Sequence, residues 1–183
     1  MLEAAGVPFE TVAANLDEEA AKAGLAAAGF DARGVAEELA QLKALSVQTG
    51  ADALAVGADQ TLELDDGAML SKPGSRAEAR AQLRMLAGRT HSLHSAAVAV
   101  EEGETVWWHS ETAHLTIRPL SEDFIDAYLD AEYEAIRGTV GAYRIEGRGA
   151  QLFEKVEGSH FAVLGLPLLP LLAYLRQRRI LAS

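Results

Sequence analysis

The chain has 183 residues, enough for one domain of usual size, with 49% hydrophobic residues to build a core. Its formal net charge of −11, from 27 acidic and 16 basic residues, repels a nucleic-acid backbone. Duplex DNA and RNA are therefore excluded as expected partners, whereas a few local cations and a divalent metal would still admit a small polyanion.

With no cysteine there are no disulfides or thiolate metal sites, and oxygen-ligated ions remain open. No apolar window is long enough to span a membrane, and "MLEAAGVPFE" lacks the basic start and apolar run of a secretory signal. The expectation is a cytoplasmic protein.

In chain order, "FETVAANL" reads as extended and leads to a helix start, where Asp17 suits an N-cap and Glu18 a first-turn acid. Residues 20–36, rich in Ala and Gly, read as short helices and turns. "VAEELAQLKALSVQTG" predicts a helix with Val35, Leu39, Leu42 and Leu45 on one face, Lys43 on its flank and Gly50 closing it. Residues 53–58 predict a short buried strand that stops at Asp59. Asp66-Gly67, between apolar arms, predicts a hairpin.

Lys72 precedes Pro73, which biases its backbone to an extended form. Ser75 and Glu78 form a capping box for a helix ending before Gly88. "HSLHSAAVAV" and "TAHLTIRPL" read as strands, the second with Ala113, Leu115 and Ile117 inward, and Trp107-Trp108 packs on a strand or edge. Ser121 caps the next helix, "AQLFEKVEG" is a late strand, and "LPLLPLLAYLRQRR" is a final helix. This order of elements predicts a mixed α/β domain.

Glu18, Lys43, Asp59 and Lys72 each interrupt a structural pattern. Carboxylates can hold a hard divalent cation that bridges phosphate oxygens, or orient an attacking water. Lysines offset charge developing on a breaking phosphoanhydride. Together the four suit metal-assisted phosphoanhydride hydrolysis. Read singly, Glu18 is a helix-dipole partner, Lys43 snorkels along its helix, and Asp59-Gln60 forms a turn.

His91 and His94 lack a third nitrogen ligand at a diagnostic spacing, so zinc is not expected and both read as surface or satisfied polar residues. Gly141, Gly147 and Gly149 make no dinucleotide fingerprint. They read as a flexible loop of close approach, in which Glu146 and Arg148 contact a base or are solvated turn residues.

The segments "GVPFETVAANLDE", "QLKA", "GADQTLEL", "SKPGSRAEARAQLRMLAGRTHSLHSA", "RPLSEDFIDAYL" and "GAYRIEGRGAQLFEKVEGSHFAVLGLPL", in that order, resemble the Maf family over nearly the whole chain. The resemblance implies a cytoplasmic nucleoside-triphosphate pyrophosphatase, often dimeric. Such enzymes use Mg2+ or Mn2+ to cleave between the α and β phosphates, releasing a nucleoside monophosphate and pyrophosphate. It implies a long, twisted, mixed sheet with flanking helices and a cleft between two lobes.

It further implies Asp59 as general base or metal ligand, Glu18 as assisting the metal, and Lys43 and Lys72 as stabilising the triphosphate. Lys72 stands in Ser71-Lys72-Pro73 where the family has Gly-Lys-Pro. Gln60 and Glu146 resemble the branch acting on 7-methyl-GTP, rather than the dTTP and UTP branch, which has Thr after the aspartate and Gln in the later loop. A carboxylate at 146 would accept hydrogen bonds from guanine N1–H and the exocyclic amine, and would be left unpaired by a base lacking them.

Family members carry a strand and a loop similar to "LASxSxxR" before the helix matching "MLEAAGVPFE". This chain starts inside that helix. The expectation is one Maf-like domain over residues 1–183, N-terminally truncated relative to the family, with a non-catalytic nucleotide-binding protein as the alternative to an enzyme.

Overall fold

Short polar side chains start four of the helices. Asp17 accepts from the Ala20 N–H ahead of α1 (Glu18–Ala27), and Asp31 from the Gly34 N–H ahead of α2 (Ala32–Leu45). Ser75 does the same for Glu78 at α3 (Arg76–Leu86), and Ser121 for Phe124 at α4 (Glu122–Ile136). Each bond satisfies an N–H that the first turn leaves without a helical partner.

The remaining elements of the computed structural model, which describes residues 1–48, 50 and 53–182, are five strands, two further α-helices and three short 3-10 helices. The strands are β1 (Ala55–Leu64), β2 (Met69–Leu70), β3 (Thr90–Glu101), β4 (Glu104–Ile117) and β5 (Phe153–Glu157); the α-helices are α5 (His160–Val163) and α6 (Leu168–Gln177). The strands form one sheet in the order β2-β1-β3-β4-β5. The α/β class is as expected, and the sheet, expected mixed in direction, pairs antiparallel. Two of the pairings are hairpins: Leu62 pairs with Leu70 across the Asp66-Gly67 turn, and β3 returns as β4 through Glu102-Gly103, both at positive φ; β5 pairs antiparallel with β4 after α4 intervenes.

The chain folds into two compact units. The first comprises Met1–Gln60, Ser95–Glu111 and Ser159–Ser183; the second comprises Thr61–His94 and Thr112–Gly158.

In the first unit α2 and α6 cover two apolar clusters. One joins Ala36, Ala40 and Ala44 of α2 to Ala55, Ala96, Val98 and Val100. The other joins Leu168, Leu171 and Leu175 of α6 to Ala97 and Val7, with Trp107 stacked on Tyr174 at 5.0 Å.

The buried face of α2 differs from the one expected. It consists of Ala32, Val35, Ala36, Leu39, Ala40 and Ala44, while Leu45 is 41% exposed. The cause is close approach. A Cβ on Gly57 would lie 2.1 Å from the Ala40 carbonyl oxygen and 2.6 Å from the Ala44 nitrogen, so only glycine facing small residues lets helix and strand meet there. The helix also ends at Leu45 rather than near Gly50, and the Ser46 hydroxyl donates to the Lys43 carbonyl at 2.8 Å.

β1 differs too. It does not stop at Asp59 but continues to Leu64, so Asp59 and Gln60 lie within a strand and not in a turn.

In the second unit α3 packs against α4 through Arg76–Asp130, Arg80–Asp126 and Arg84–Glu122 ion pairs. These are partly exposed and contribute little singly. The alternation expected after Thr112 is present, with Ala113, Leu115 and Ile117 buried and Thr112, His114 and Thr116 less so. Of the two strand histidines, His94 is bonded at both ring nitrogens, whereas His91 is bonded at Nε2 alone and its buried Nδ1 has no partner among the described residues. His94 bonds Thr112 at 3.0 Å and Glu63 at 3.0 Å, and buried His91 bonds the Tyr143 hydroxyl at 2.6 Å.

Candidate active site

Gly57 sets the geometry on which the site rests. Side chains two apart on a strand share a face, so Asp59 points the same way as Gly57, toward α2. Lys43, one residue before Ala44 at the close contact, is delivered to it. Its Nζ donates to Asp59 Oδ1 and lies 3.1 Å from Glu18 Oε2. Glu18 arrives from the first turn of α1, positioned by the Asp17 cap.

The three charges are graded in exposure. The Asp59 side chain is 9% exposed, Lys43 20% and Glu18 40%, so the cluster opens toward solvent at its Glu18 end. Burial is the largest single influence on Lys43 and lowers its pKa. The hydrogen bonds and charges of Asp59 and Glu18 together outweigh it, holding the ammonium above its ordinary range. Lys43 is therefore charged at neutral pH.

Gln60 points from the opposite face of β1. Its amide nitrogen donates to Ser95 Oγ at 2.8 Å and to the carbonyls of Ala162 at 2.8 Å and Val163 at 3.3 Å. Ser95, fully buried, donates in turn to the Ala162 carbonyl at 2.7 Å. Residue 60 is thus tied to α5, and its amide nitrogen is committed to protein acceptors.

Lys72 and Glu146 belong to the second unit. Lys72 is exposed on a segment held at both sides: Gln82 donates to the Ser71 carbonyl at 2.8 Å, and Pro73 is buried. Glu146 is exposed on a turn that Arg144 closes by its 3.0 Å ion pair with buried Glu132. The close approach expected of Gly141, Gly147 and Gly149 is present. A Cβ on Gly149 would fall 2.3 Å from the Arg144 carbonyl oxygen, so the chain passes itself there with no room for a side chain. Arg148 lines a cavity with Phe124, Ala127, Tyr128 and Gln151 in the same unit.

The sequence pattern therefore found Glu18, Lys43 and Asp59, which the fold brings together. It missed Gly57, Ser46, Ser95, Gln82 and Arg144, which hold the candidate residues in place. Of these only Gly57, a glycine inside an apolar strand, carried a local signal of close backbone approach.

Among the described residues no group of three or more His, Asp or Glu side chains could hold a metal ion by itself. Asp59 and Glu18 fit a weaker demand. Mg2+ is commonly held by one or two carboxylates with substrate phosphates and waters completing its shell.

A family model described as "Maf-like protein" matches residues 1–178. The chain belongs to the Maf family. A nucleoside triphosphate pyrophosphatase of Sphingopyxis alaskensis is 50% identical over 177 residues, covering 96% of this chain and 89% of that protein. One of Paramagnetospirillum magneticum is 50% identical over 178 residues, covering 97% and 91%. A 7-methyl-GTP pyrophosphatase of Rhizobium meliloti is 47% identical over 178 residues, covering 97% and 89%. Among the described residues no helix is long and apolar enough to cross a membrane.

Proposed function

We propose that this protein is a nucleoside-triphosphate pyrophosphatase that hydrolyses the α–β phosphoanhydride, releasing a nucleoside monophosphate and pyrophosphate. One observation carries the reading: Maf membership over residues 1–178, with relatives near 50% identity bearing that name. The Glu18–Lys43–Asp59 geometry supports it, because it supplies carboxylates to orient a water beside a cation suited to a phosphate oxygen.

In this reading Asp59 orients or deprotonates the attacking water, and Glu18 shares a divalent cation with it. Lys43 and Lys72 offset phosphate charge. Mg2+ or Mn2+, when bound, offsets charge on the phosphate oxygens and orients them. Glu146 reads the base as a hydrogen-bond acceptor, which favours a guanine nucleotide such as 7-methyl-GTP; the Rhizobium relative bears that substrate in its name. Gln60, committed by its amide nitrogen to Ser95 and Ala162, serves the site by anchoring β1 beside Asp59. The protein acts in the cytoplasm, as a homodimer.

The test is pyrophosphate release by the purified chain with Mg2+ or Mn2+ and a panel of 7-methyl-GTP, GTP, dTTP and UTP. Release that disappears in a folded Asp59→Asn variant is expected. Full turnover by that variant would refute the assignment. A preference for dTTP and UTP would move the protein to the pyrimidine branch. Nucleotide binding without release would mark it as a binding protein.

A further inference from the structure

The Lys43 ammonium stands where a cation shared by Glu18 and Asp59 would stand. It bonds Asp59 Oδ1 and lies 3.1 Å from Glu18 Oε2. A directly ligated Mg2+ needs oxygen atoms at about 2.0–2.1 Å, so a metal bridging these two oxygens would occupy the volume of the Nζ atom. It would also face a like charge at contact distance in a partly buried site.

The Lys43 charge offsets one of the two carboxylate charges of Glu18 and Asp59, which weakens their attraction for a free divalent ion. Both difficulties are relieved at once when metal and phosphate arrive together. The phosphate draws the ammonium away, and the carboxylates turn to the metal. The Lys43 stem suits such a move, being four flexible carbons on the last turn of α2.

We propose that Lys43 is the occupant of this cation position in the protein without nucleotide, so that a divalent metal enters between Glu18 and Asp59 only together with a phosphate-bearing ligand. The inference rests on the pyrophosphatase reading for the identity of that ligand alone.

Mn2+ binding to the full chain, followed by electron paramagnetic resonance without nucleotide, tests it. The wild type should bind Mn2+ weakly, and Lys43→Met should bind it roughly tenfold more tightly or better, since a buried like charge is gone. Adding Asp59→Asn to Lys43→Met should remove the gain. In the wild type, a non-hydrolysable α,β-methylene nucleoside triphosphate should produce a protein-bound Mn2+ signal that neither component gives alone.

A wild type that binds one Mn2+ as tightly without nucleotide as with it overturns the proposal. So does a folded Lys43→Met that binds no tighter. Should Lys43→Met fail to fold, Lys43→Gln and the nucleotide arm decide. Absence of pyrophosphate release would overturn the activity alone, since the metal-only comparison of wild type with Lys43→Met would still give its own answer.

Discussion

Gly57→Ala is the sharpest test of how the fold builds the charge cluster. The added Cβ would stand 2.1 Å from the Ala40 carbonyl oxygen, 2.6 Å from the Ala44 nitrogen and 3.1 Å from the Ala44 Cβ, where ordinary contact begins at 3.4 Å. Two of the three obstacles are backbone, so no side chain can swing aside. α2 must withdraw from β1 by about 1.3 Å, the gap between 2.1 Å and 3.4 Å.

Overpacking of a close-packed core costs about 1–3 kcal/mol, and a backbone obstacle places this case at the upper end. Gly57 lies outside the left-handed region, so alanine also stiffens the unfolded chain, an offset of about 0.4–1 kcal/mol. The net loss is about 2 kcal/mol. For a chain of this size that lowers the melting temperature by about 4–8 °C.

The effect on chemistry should exceed the effect on stability. Lys43 travels with α2 and Asp59 with β1, and misplacement by about 1 Å costs on the order of 100-fold in rate. Thermal unfolding and pyrophosphate release, measured on the same preparation, separate the two. Gly24→Ala is the control: nothing lies within 4 Å of a Cβ there. Mid-helix alanine should stabilise by about 0.5–1 kcal/mol without touching turnover. A Gly57→Ala variant with unchanged melting temperature and full turnover would show that the helix–strand contact does not set the site.

Further expectations follow from single residues. Burial pushes the His91 pKa down to about 4, against about 6.5 for an unfolded histidine. Its contribution to stability is complete above about pH 6.5 and is lost as pH falls toward 4, because only the unfolded chain takes the proton. Over that window the loss amounts to about 3 kcal/mol, and urea midpoints of His91→Gln should show a correspondingly shallower decline; an equal decline would contradict a buried neutral imidazole. Gln60→Thr should lower turnover on every nucleotide by roughly tenfold while leaving the 7-methyl-GTP to dTTP ratio unchanged, as expected when anchoring hydrogen bonds worth about 1 kcal/mol each are lost. A changed ratio would make Gln60 a reader of the base.

Local chemistry was legible in the sequence, and distance was not. Asp17, Ser75 and Ser121 announced helix starts because a cap needs only its own next turn. The Asp66-Gly67 hairpin and the alternation of Ala113, Leu115 and Ile117 were equally local. β1 misled because Asp59 and Gln60 broke an apolar run, whereas its neighbours in the sheet and the Gln60 hydrogen bonds carry the strand to Leu64. The face of α2 misled because large apolar residues dominate a periodicity argument, while close approach to Gly57 selects alanine. Glu18, Lys43 and Asp59 stood out as charges in structural positions. Their supports did not, since Ser95 and Gln82 act through partners 67 and 11 residues away.

Those supports explain how a long, flexible lysine serves a site that demands accuracy. A partly buried ion pair gains little unless its geometry is good, because desolvation opposes the attraction and a misaligned charge loses both. Each of the three charges is therefore set on backbone held by a contact outside the ion cluster itself. The Asp17 cap fixes the turn carrying Glu18, and Ser46 closes the turn carrying Lys43. Gly57 fixes the spacing of α2 and β1 on one face of the strand, and Gln60 ties the same strand to α5 from the other. With the backbone fixed, the freedom left to the lysine is rotation about its own stem, the motion that the proposed exchange of two carboxylates for a phosphate would require.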